Sequence, residues 1–193
     1  IKFTVTDADS GVNSGTIAMK LDGTAVTVTK TAITGGYECS YKPTTALKDG
    51  SHTISVTASD NDGNAASAKT ATFTVDTVPP TLTITAPAEG LVTNKTTITV
   101  TGKTDDATSK PVTVTVNGAA ATVGTDGFFS KDVTLTNGAN KITIIAKDKA
   151  DKTTTITRNV TLDTAAPVIK SITLTPNPVD CGKTFVIAVE ITD

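Results

Sequence analysis

Apolar and polar residues alternate along most of the chain with a period of two. Val112, Val114 and Val116 fall on one side of a short segment, and the segment 142–146 has the same alternation. Threonine, the commonest residue, is β-branched and suits a half-exposed strand. Apolar residues do not recur at the three- and four-residue spacing of a helix over any useful length. The pattern predicts an all-β chain of short antiparallel strands.

The chain also repeats itself. The segment 47–60 resembles the segment 135–148, and Asp60 and Asp148, which end the two segments, are 88 positions apart. We call the part of the chain around the first segment the first repeat and the part around the second segment the second repeat. Self-similarity at a fixed spacing indicates that each copy is one structural unit of a tandem array.

The ends of the repeats predict the domain boundaries. The Pro-containing exits 76–80 and 163–167 resemble each other and are flanked by strand-like segments. We therefore predict a module over 1–76 that lacks its first strand, a complete module over 77–163, and the first two strands of a truncated third module over 164–193. The seven strands predicted for the complete module are typical of a small antiparallel sandwich.

Composition and charge exclude several functions. The 17 basic residues nearly balance the 19 acidic ones, so there is no basic patch of the kind that binds nucleic acid. No apolar run approaches the roughly 20 residues of a membrane helix. With one histidine, two cysteines and no tryptophan, the usual catalytic and metal-binding side chains are scarce. We predict a non-enzymatic chain with no membrane span in this segment and no nucleic-acid partner.

Turn and core motifs resemble those of bacterial immunoglobulin-like modules in secreted and surface proteins. The motifs similar to glucodextranase domain B are 80–87, 95–101, 114–118, 126–129 and 135–142, and those similar to related bacterial repeats are 9–12, 21–23 and 49–54. The resemblance implies tandem immunoglobulin-like antiparallel β-sandwiches that contact neighbouring modules of the same chain. It also implies an extracellular or cell-surface location as a stalk, an adhesin or an enzyme appendage, and it transfers no catalytic residue.

Aspartates recur where such a sandwich brings loops together. In this topology the loop after the second strand and the last hairpin lie at the end where the chain enters. The residues expected to gather there are Asp76, Asp105, Asp106, Asp148 and Asp151. Clustered carboxylates suit calcium, so we hypothesise that Ca²⁺ stiffens the module junctions and that no other cofactor is required. The alternative is that these aspartates only form turns.

The remaining polar candidates have simpler interpretations. Cys39 falls in the first module and Cys181 in the third, whereas a disulfide requires Cα atoms within about 7 Å. We expect one small buried cysteine and one free thiol, with an intermolecular bridge as the alternative. His52 starts a strand in phase with Ile54 and is interpreted as an edge residue without catalytic partners.

Two functions remain open. One is a structural spacer or stalk that projects a functional tip or builds a surface fibre. The other is an adhesin or a glycoside hydrolase accessory module that binds polysaccharide or a surface receptor. Such binding usually requires exposed aromatic side chains. We expect Tyr41 and Phe129 to be the spare aromatics and Phe128 to lie in a core.

The incomplete modules at both ends suggest a further partner. Strands without neighbours accept strands from other chains, so we also consider strand addition between copies. Excision from a longer array explains the same ends more simply.

Overall fold

The computed structural model describes residues 1–175, 177–178 and 180–192. The strands of its first part are β1 (Lys2–Thr6), β2 (Ala18–Leu21), β3 (Thr24–Val26), β4 (Thr29–Ile33), β5 (Gly36–Ser40), β6 (Gly50–Thr57) and β7 (Lys69–Val75). The strands that follow are β8 (Thr81–Ala86), β9 (Leu91–Thr93), β10 (Thr97–Asp105), β11 (Thr113–Val116), β12 (Ala119–Val123), β13 (Phe128–Thr134), β14 (Gly138–Lys147), β15 (Thr153–Leu162), β16 (Val168–Thr175) and β17 (Val186–Thr192).

The prediction of an all-β chain is confirmed. Besides the strands, the structure has a single 3₁₀ turn, at Ser14–Thr16, among the residues it describes. Neighbouring strands such as β1 and β5 run antiparallel, and β9 pairs with β15 in parallel. No helix in the described part of the chain has the length and apolar character needed to cross a membrane.

The chain divides into two compact units. Unit 1 consists of Ile1–Thr81, Asp105–Thr113 and Ala146–Thr154, and unit 2 consists of Leu82–Thr104, Val114–Ile145 and the described residues from Thr155 onwards. Two loops of the second repeat therefore belong to unit 1. These units are defined by contacts and not by the repeat, so the module boundaries at 76 and 163 remain a prediction.

Unit 1 contains two small sheets around a common core. Their strand orders are β1-β5-β4 and β3-β2-β6-β7. Phe3 pairs with Cys39 across β1 and β5, and Cys39 is fully buried. The buried cluster consists of Val12, Ile17, Cys39 and Ala58, and Phe3, Val5, Val28 and Tyr37 pack against it. The alternation of these strands therefore produces a sandwich with a small core.

The larger sheet has the order β8-β10-β13-β12-β11-β14-β15-β9, and most of its residues belong to unit 2. Its inward residues are those that the alternation predicted. Its largest fully buried apolar side chains are Val100, Val114, Val116, Ile142, Ile144 and Val160. Burial of one apolar face is the main stabilising contribution to such a sheet.

The hairpin of β16 and β17 forms a two-stranded sheet of its own. Its strands are antiparallel, with an irregularity between Ile169 and Ser171. Many of its apolar side chains are exposed, among them Ile172, Leu174, Val186 and Ile187. Isolated two-stranded sheets are marginally stable in water.

Candidate functional site

Three aspartates from distant parts of the sequence meet in unit 1. Asp76 follows β7, Asp106 follows β10 and Asp148 follows β14. Each offers one carboxylate oxygen, and these three oxygens lie within 4.8 Å of one another. Asp76 is half-buried, and Asp106 and Asp148 are buried. The group is therefore a partly enclosed cluster and not a patch of solvated charges.

Asp106 is positioned by the loop that it begins. Its Oδ1 accepts the backbone N–H groups of Thr108 and Ser109, at 2.8 and 2.6 Å. An aspartate that binds the backbone two or three residues further on closes a tight turn without help from other segments. This local bond explains why Asp106 points inward directly after a strand.

Asp148 and Asp76 each use one oxygen for the backbone and leave the other unpaired. Oδ1 of Asp148 accepts the N–H of Lys152 at 2.9 Å, and Oδ1 of Asp76 accepts that of Val78 at 3.1 Å. The Oδ2 atoms of both aspartates are buried, and no described group donates a hydrogen bond to either. Only 4% of the Asp148 surface is exposed. Buried polar atoms without partners are rare and costly, and an unseen ion is one explanation for them.

The electrostatics of the cluster also favour a cation. Two unit charges about 5 Å apart repel by about 3 kcal/mol at an effective dielectric constant of about 20. Asp76, Asp106 and Asp148 form three such pairs. A divalent cation placed among them turns repulsion into attraction and gives the unpaired oxygens a partner.

The geometry of the cluster fits calcium. Calcium takes 6 to 8 oxygen ligands at about 2.3–2.6 Å, so oxygens on opposite sides of one ion lie about 5 Å apart. Because the three carboxylate oxygens lie within 4.8 Å of one another, all three carboxylates can contact one ion. Asp76, Asp106 and Asp148 would hold it, and the donor set of hard oxygens without histidine or cysteine suits calcium better than zinc.

The other two predicted ligands are engaged elsewhere. Oδ1 of Asp105 lies 2.7 Å from Nζ of Lys110, and Oδ1 of Asp151 lies 2.6 Å from Nζ of Lys147. Both carboxylates are exposed. The hydrogen bond with Lys147 lowers the pKa of Asp151 and raises that of the lysine. The structure therefore brings together three of the five aspartates and pairs the remaining two with lysines.

The interpretation of His52 as an edge residue is wrong. Its strand β6 lies between β2 and β7, and the side chain is buried. Nδ1 lies 2.7 Å from Oδ2 of Asp22, and Nε2 lies 2.8 Å from the carbonyl oxygen of Lys48. The ring stacks on Phe73 with 5.4 Å between centroids. Asp22 lies in the turn between β2 and β3. The alternation of residues along β6 does not predict its contact with His52.

The surroundings of His52 favour its charged form. The hydrogen bond to Asp22 and then that to the Lys48 carbonyl raise the pKa of His52, and the same bond lowers the pKa of Asp22. Both ring nitrogens face acceptors, which suits an imidazolium. Oδ1 of Asp22 also accepts the N–H of Thr53 at 2.8 Å. We name His52, Asp22 and Lys48 the histidine clasp, and its bonds connect neighbouring turns of unit 1.

The prediction for the two adjacent phenylalanines is wrong. Phe129 is buried with 4% exposure, whereas Phe128 is 55% exposed. Residue 129 pairs with Gly102 across β10 and β13, and a Cβ at position 102 would lie 2.7 Å from Cζ of Phe129. The missing side chain of Gly102 makes the space for the buried ring. Phe128 faces outward, with Nζ of Lys103 at 5.0 Å from its centroid.

The expectation for the cysteines is confirmed. Cys39 and Cys181 are both free, the first buried and the second exposed. Desolvation raises the pKa of the Cys39 thiol, which keeps it protonated and unreactive.

Two family models match consecutive parts of the chain. Residues 80–164 match the model described as glucodextranase, domain B, and residues 1–77 match the one described as bacterial Ig-like domain. The resemblance to bacterial immunoglobulin-like modules is thereby confirmed. The fold class is that of tandem immunoglobulin-like antiparallel β-sandwiches.

One curated relative is Bacillopeptidase F of Bacillus subtilis (strain 168). The two proteins are 35% identical over 126 residues, which is 65% of this chain and 9% of the relative. The chain therefore spans less than a tenth of the length of the relative that it matches.

Two solved structures that match most of this chain consist of modules or tandem repeats. The fibronectin(III)-like modules of Clostridium thermocellum CbhA have a TM-score of 0.49 and 19% identity, over 84% of this chain and 85% of that chain. A tetra-tandem repeat from the extending region of a large adhesion protein has a TM-score of 0.39 and 21% identity, over 98% of this chain and 58% of that chain. Neither similarity bears on function.

Proposed function

We propose that the chain is a non-enzymatic spacer segment of a secreted or cell-surface bacterial or phage protein. In this role its modules separate a functional part of the parent protein from the surface, or form part of a surface fibre. The observation that carries the proposal is the succession of two immunoglobulin-like matches, at 1–77 and 80–164, with two residues between them. Modules joined by so short a connection add length without needing a site of their own.

Two further observations support the spacer and its extracellular location. Its one histidine is held in the histidine clasp and is not available to a nucleophile. The match to a bacterial Ig-like model and the relative named a peptidase are consistent with a segment that accompanies an activity located elsewhere in an exported protein.

The alternative is a module that binds polysaccharide or a surface receptor. The exposed ring of Phe128 next to Lys103 favours it, because a sugar ring can stack on an exposed aromatic face. Binding sites for sugars usually combine several such rings, and Tyr41 is half-buried. We therefore rank this function second.

A binding assay separates the two functions. The 193-residue chain and its F128A variant are incubated with insoluble cellulose, chitin, starch and peptidoglycan and applied to a glycan array. The spacer predicts that both proteins stay in the supernatant. Retention of the wild type that F128A abolishes would establish the binding module and overturn the spacer.

We further propose that the cluster of Asp76, Asp106 and Asp148 binds Ca²⁺. The ion would connect the end of β7 to the loops after β10 and β14, three segments of unit 1 that are distant in sequence. The observation that carries this proposal is the buried, unpaired Oδ2 of Asp148. A ligand that binds only the folded state stabilises it by about 2.7 kcal/mol when present at 100 times its dissociation constant.

Thermal melts and calorimetric titration test the calcium site. In millimolar Ca²⁺ the wild type should melt about 5–10 °C higher than in EGTA. D148N and D106N should lose this shift, because each removes a ligand charge from the cluster. D105N and D151N are the matched controls, since their carboxylates pair with lysines, and both should keep it. A wild type that melts at the same temperature in both buffers would exclude the site.

We also propose strand addition between copies of the chain, with β16 as the added strand. β16 pairs with β17. Residues 187–193, which include most of β17, correspond in sequence to residues 1–7, which contain β1. β1 is the edge strand of its sheet. A cavity of about 270 Å³ opens beside β1 and is lined in part by Phe3, Val5 and Ile54. A strand that fits β17 therefore suits β1 of another copy.

A further inference from the structure

Two aspartate turns of unit 1, 88 residues apart, have the same backbone hydrogen bonds. In the first, the N–H of Asp60 donates to the carbonyl of Asn64 at 3.1 Å, and the N–H of Asn64 donates to Oδ1 of Asp60 at 2.8 Å. In the second, the N–H of Asp148 donates to the carbonyl of Lys152 at 3.1 Å, and the N–H of Lys152 donates to Oδ1 of Asp148 at 2.9 Å. The sequence repeat is therefore also a repeat of local geometry.

The turns differ at the second carboxylate oxygen. Nδ2 of Asn64 donates to Oδ2 of Asp60 at 2.7 Å. The Oδ2 of Asp148 is buried, and no described residue supplies it with a donor. The hydrogen bonds from the Asn64 side chain and backbone lower the pKa of Asp60, so they stabilise its charged form. The side chain four positions after the aspartate is thus the chemical difference between the two turns.

The loops opposite the two turns are also comparable. Oδ2 of Asp7 accepts the N–H of Gly11 at 2.8 Å, much as Asp106 accepts those of its own loop. Asp7 and Asp60 line one cavity of about 240 Å³. Both repeats therefore place a loop aspartate and a turn aspartate at the same end of a sandwich.

We propose that the amide of Asn64 does in the first turn what a bound cation does in the second. The residue four positions after the turn aspartate then decides whether a turn requires calcium. This inference rests on the proposed calcium site of Asp76, Asp106 and Asp148. An asparagine at this position satisfies the second oxygen from within the chain, and a lysine leaves that oxygen free for an ion.

The reason is competition for one oxygen. A carboxylate oxygen that accepts a short hydrogen bond from an amide has one of its lone pairs engaged, so it is a weaker ligand for a metal. A neutral amide also leaves the charge of the carboxylate uncompensated, whereas calcium reduces it. Transferring the asparagine to the second turn should therefore stabilise the calcium-free protein and weaken calcium binding.

The test compares K152N with K152A in the full 193-residue chain. Both variants remove the same positive charge and differ in the amide. Calcium binding is titrated by calorimetry with CaCl₂, and melting temperatures are measured in EGTA. K152A should bind calcium at least as tightly as the wild type, because a nearby positive charge is gone. K152N should bind at least tenfold more weakly than K152A and melt higher than K152A in EGTA.

The outcomes distinguish this inference from the site on which it rests. If the wild type and K152A bind calcium and K152N binds within twofold of K152A, the amide has no such role and the calcium site stands. If the wild type fails to bind, or D148N binds as the wild type does, the calcium site itself is wrong and the inference falls with it.

A reciprocal pair of variants keeps the inference testable if K152N does not fold. D148N removes the second-repeat ligand, and N64A is added to it so that Oδ2 of Asp60 loses its donor. In EGTA the double variant should melt lower than D148N alone, and millimolar calcium should restore part of the loss. A loss of the same size in calcium and in EGTA would overturn the inference.

Discussion

His52 is the residue whose protonation the structure links most directly to stability. The hydrogen bonds of the histidine clasp raise its pKa above the ordinary 6.5. A group whose pKa is raised by folding contributes its full stabilisation below the unfolded pKa and loses it as the pH rises through the folded pKa. The contribution of His52 is therefore complete below about pH 6.5 and declines as the solution becomes alkaline.

The clasp predicts a pH dependence of the melting temperature. In saturating calcium the wild type should melt highest near pH 5–6 and lower at pH 8.5, because the imidazolium loses its proton over this range. H52Q keeps a polar side chain but does not titrate, so its melting temperature should change less between these pH values. Melts at half-unit intervals compare the two proteins, and parallel curves would show that another group causes the dependence.

Local sequence predicted the aspartates of the site but not which of them meet. The repeat and the turn chemistry indicated Asp76, Asp106 and Asp148 together with their two neighbours. Asp105 is the last residue of β10 and Asp106 follows it, so the alternation within the strand does not indicate which of the two carboxylates faces the site. The two aspartates differ in their contacts, because Asp105 pairs with Lys110 while Asp106 caps its own loop. These contacts depend on distances in the folded chain, which the spacing of residues in the sequence does not provide.

Within the strands, alternation predicted the buried faces and failed where two like residues are adjacent. The valines of 112–116 lie inward as expected, and so do Ile142, Ile144 and Ala146. For Phe128 and Phe129 either phase was consistent with the sequence. Gly102, on a neighbouring strand, decides in favour of Phe129, and this pairing is visible only once the register of β10 and β13 is known.

The same contact predicts a stability effect for β10. In G102A the new methyl group would collide with the carbonyl oxygen of Thr83 and lie 2.7 Å from Cζ of Phe129. Overpacking of this kind typically costs about 1–3 kcal/mol. We therefore expect G102A to lower the free energy of unfolding by about 2 kcal/mol in urea titrations.

G124A is the matched control for G102A. A methyl group at position 124 would lie 2.7 Å from Oδ1 of Asp126, which accepts the N–H of Phe128 at 3.1 Å, and 3.5 Å from the carbonyl oxygen of Phe128. Rotation of Asp126 loses only one exposed hydrogen bond, so G124A should lower the unfolding free energy by no more than about 1 kcal/mol, less than G102A. Equal stability of G102A and wild type would show that β8 and the Phe129 ring adjust without strain.

At the scale of the whole molecule, the repeat gives each part of the chain a counterpart elsewhere. β8 follows the exit 76–80, and β16 follows the corresponding exit 163–167. β8 lies beside β10 in a sheet of eight strands, whereas in the described part of the chain β16 pairs with β17 only.

This difference makes self-association of the 193-residue chain the expected result if β16 adds to β1 of another copy. A head-to-tail contact adds further copies in an open chain or a ring, so the average mass in sedimentation velocity should grow with protein concentration. I172K places a charge on β16, at a side chain that is 61% exposed, and should keep the protein monomeric. V92K alters a side chain of β9 that is 64% exposed and should associate like the wild type. A wild type that is monomeric at every concentration would rule out strand addition, and equal association of I172K and V92K would show that another surface is responsible.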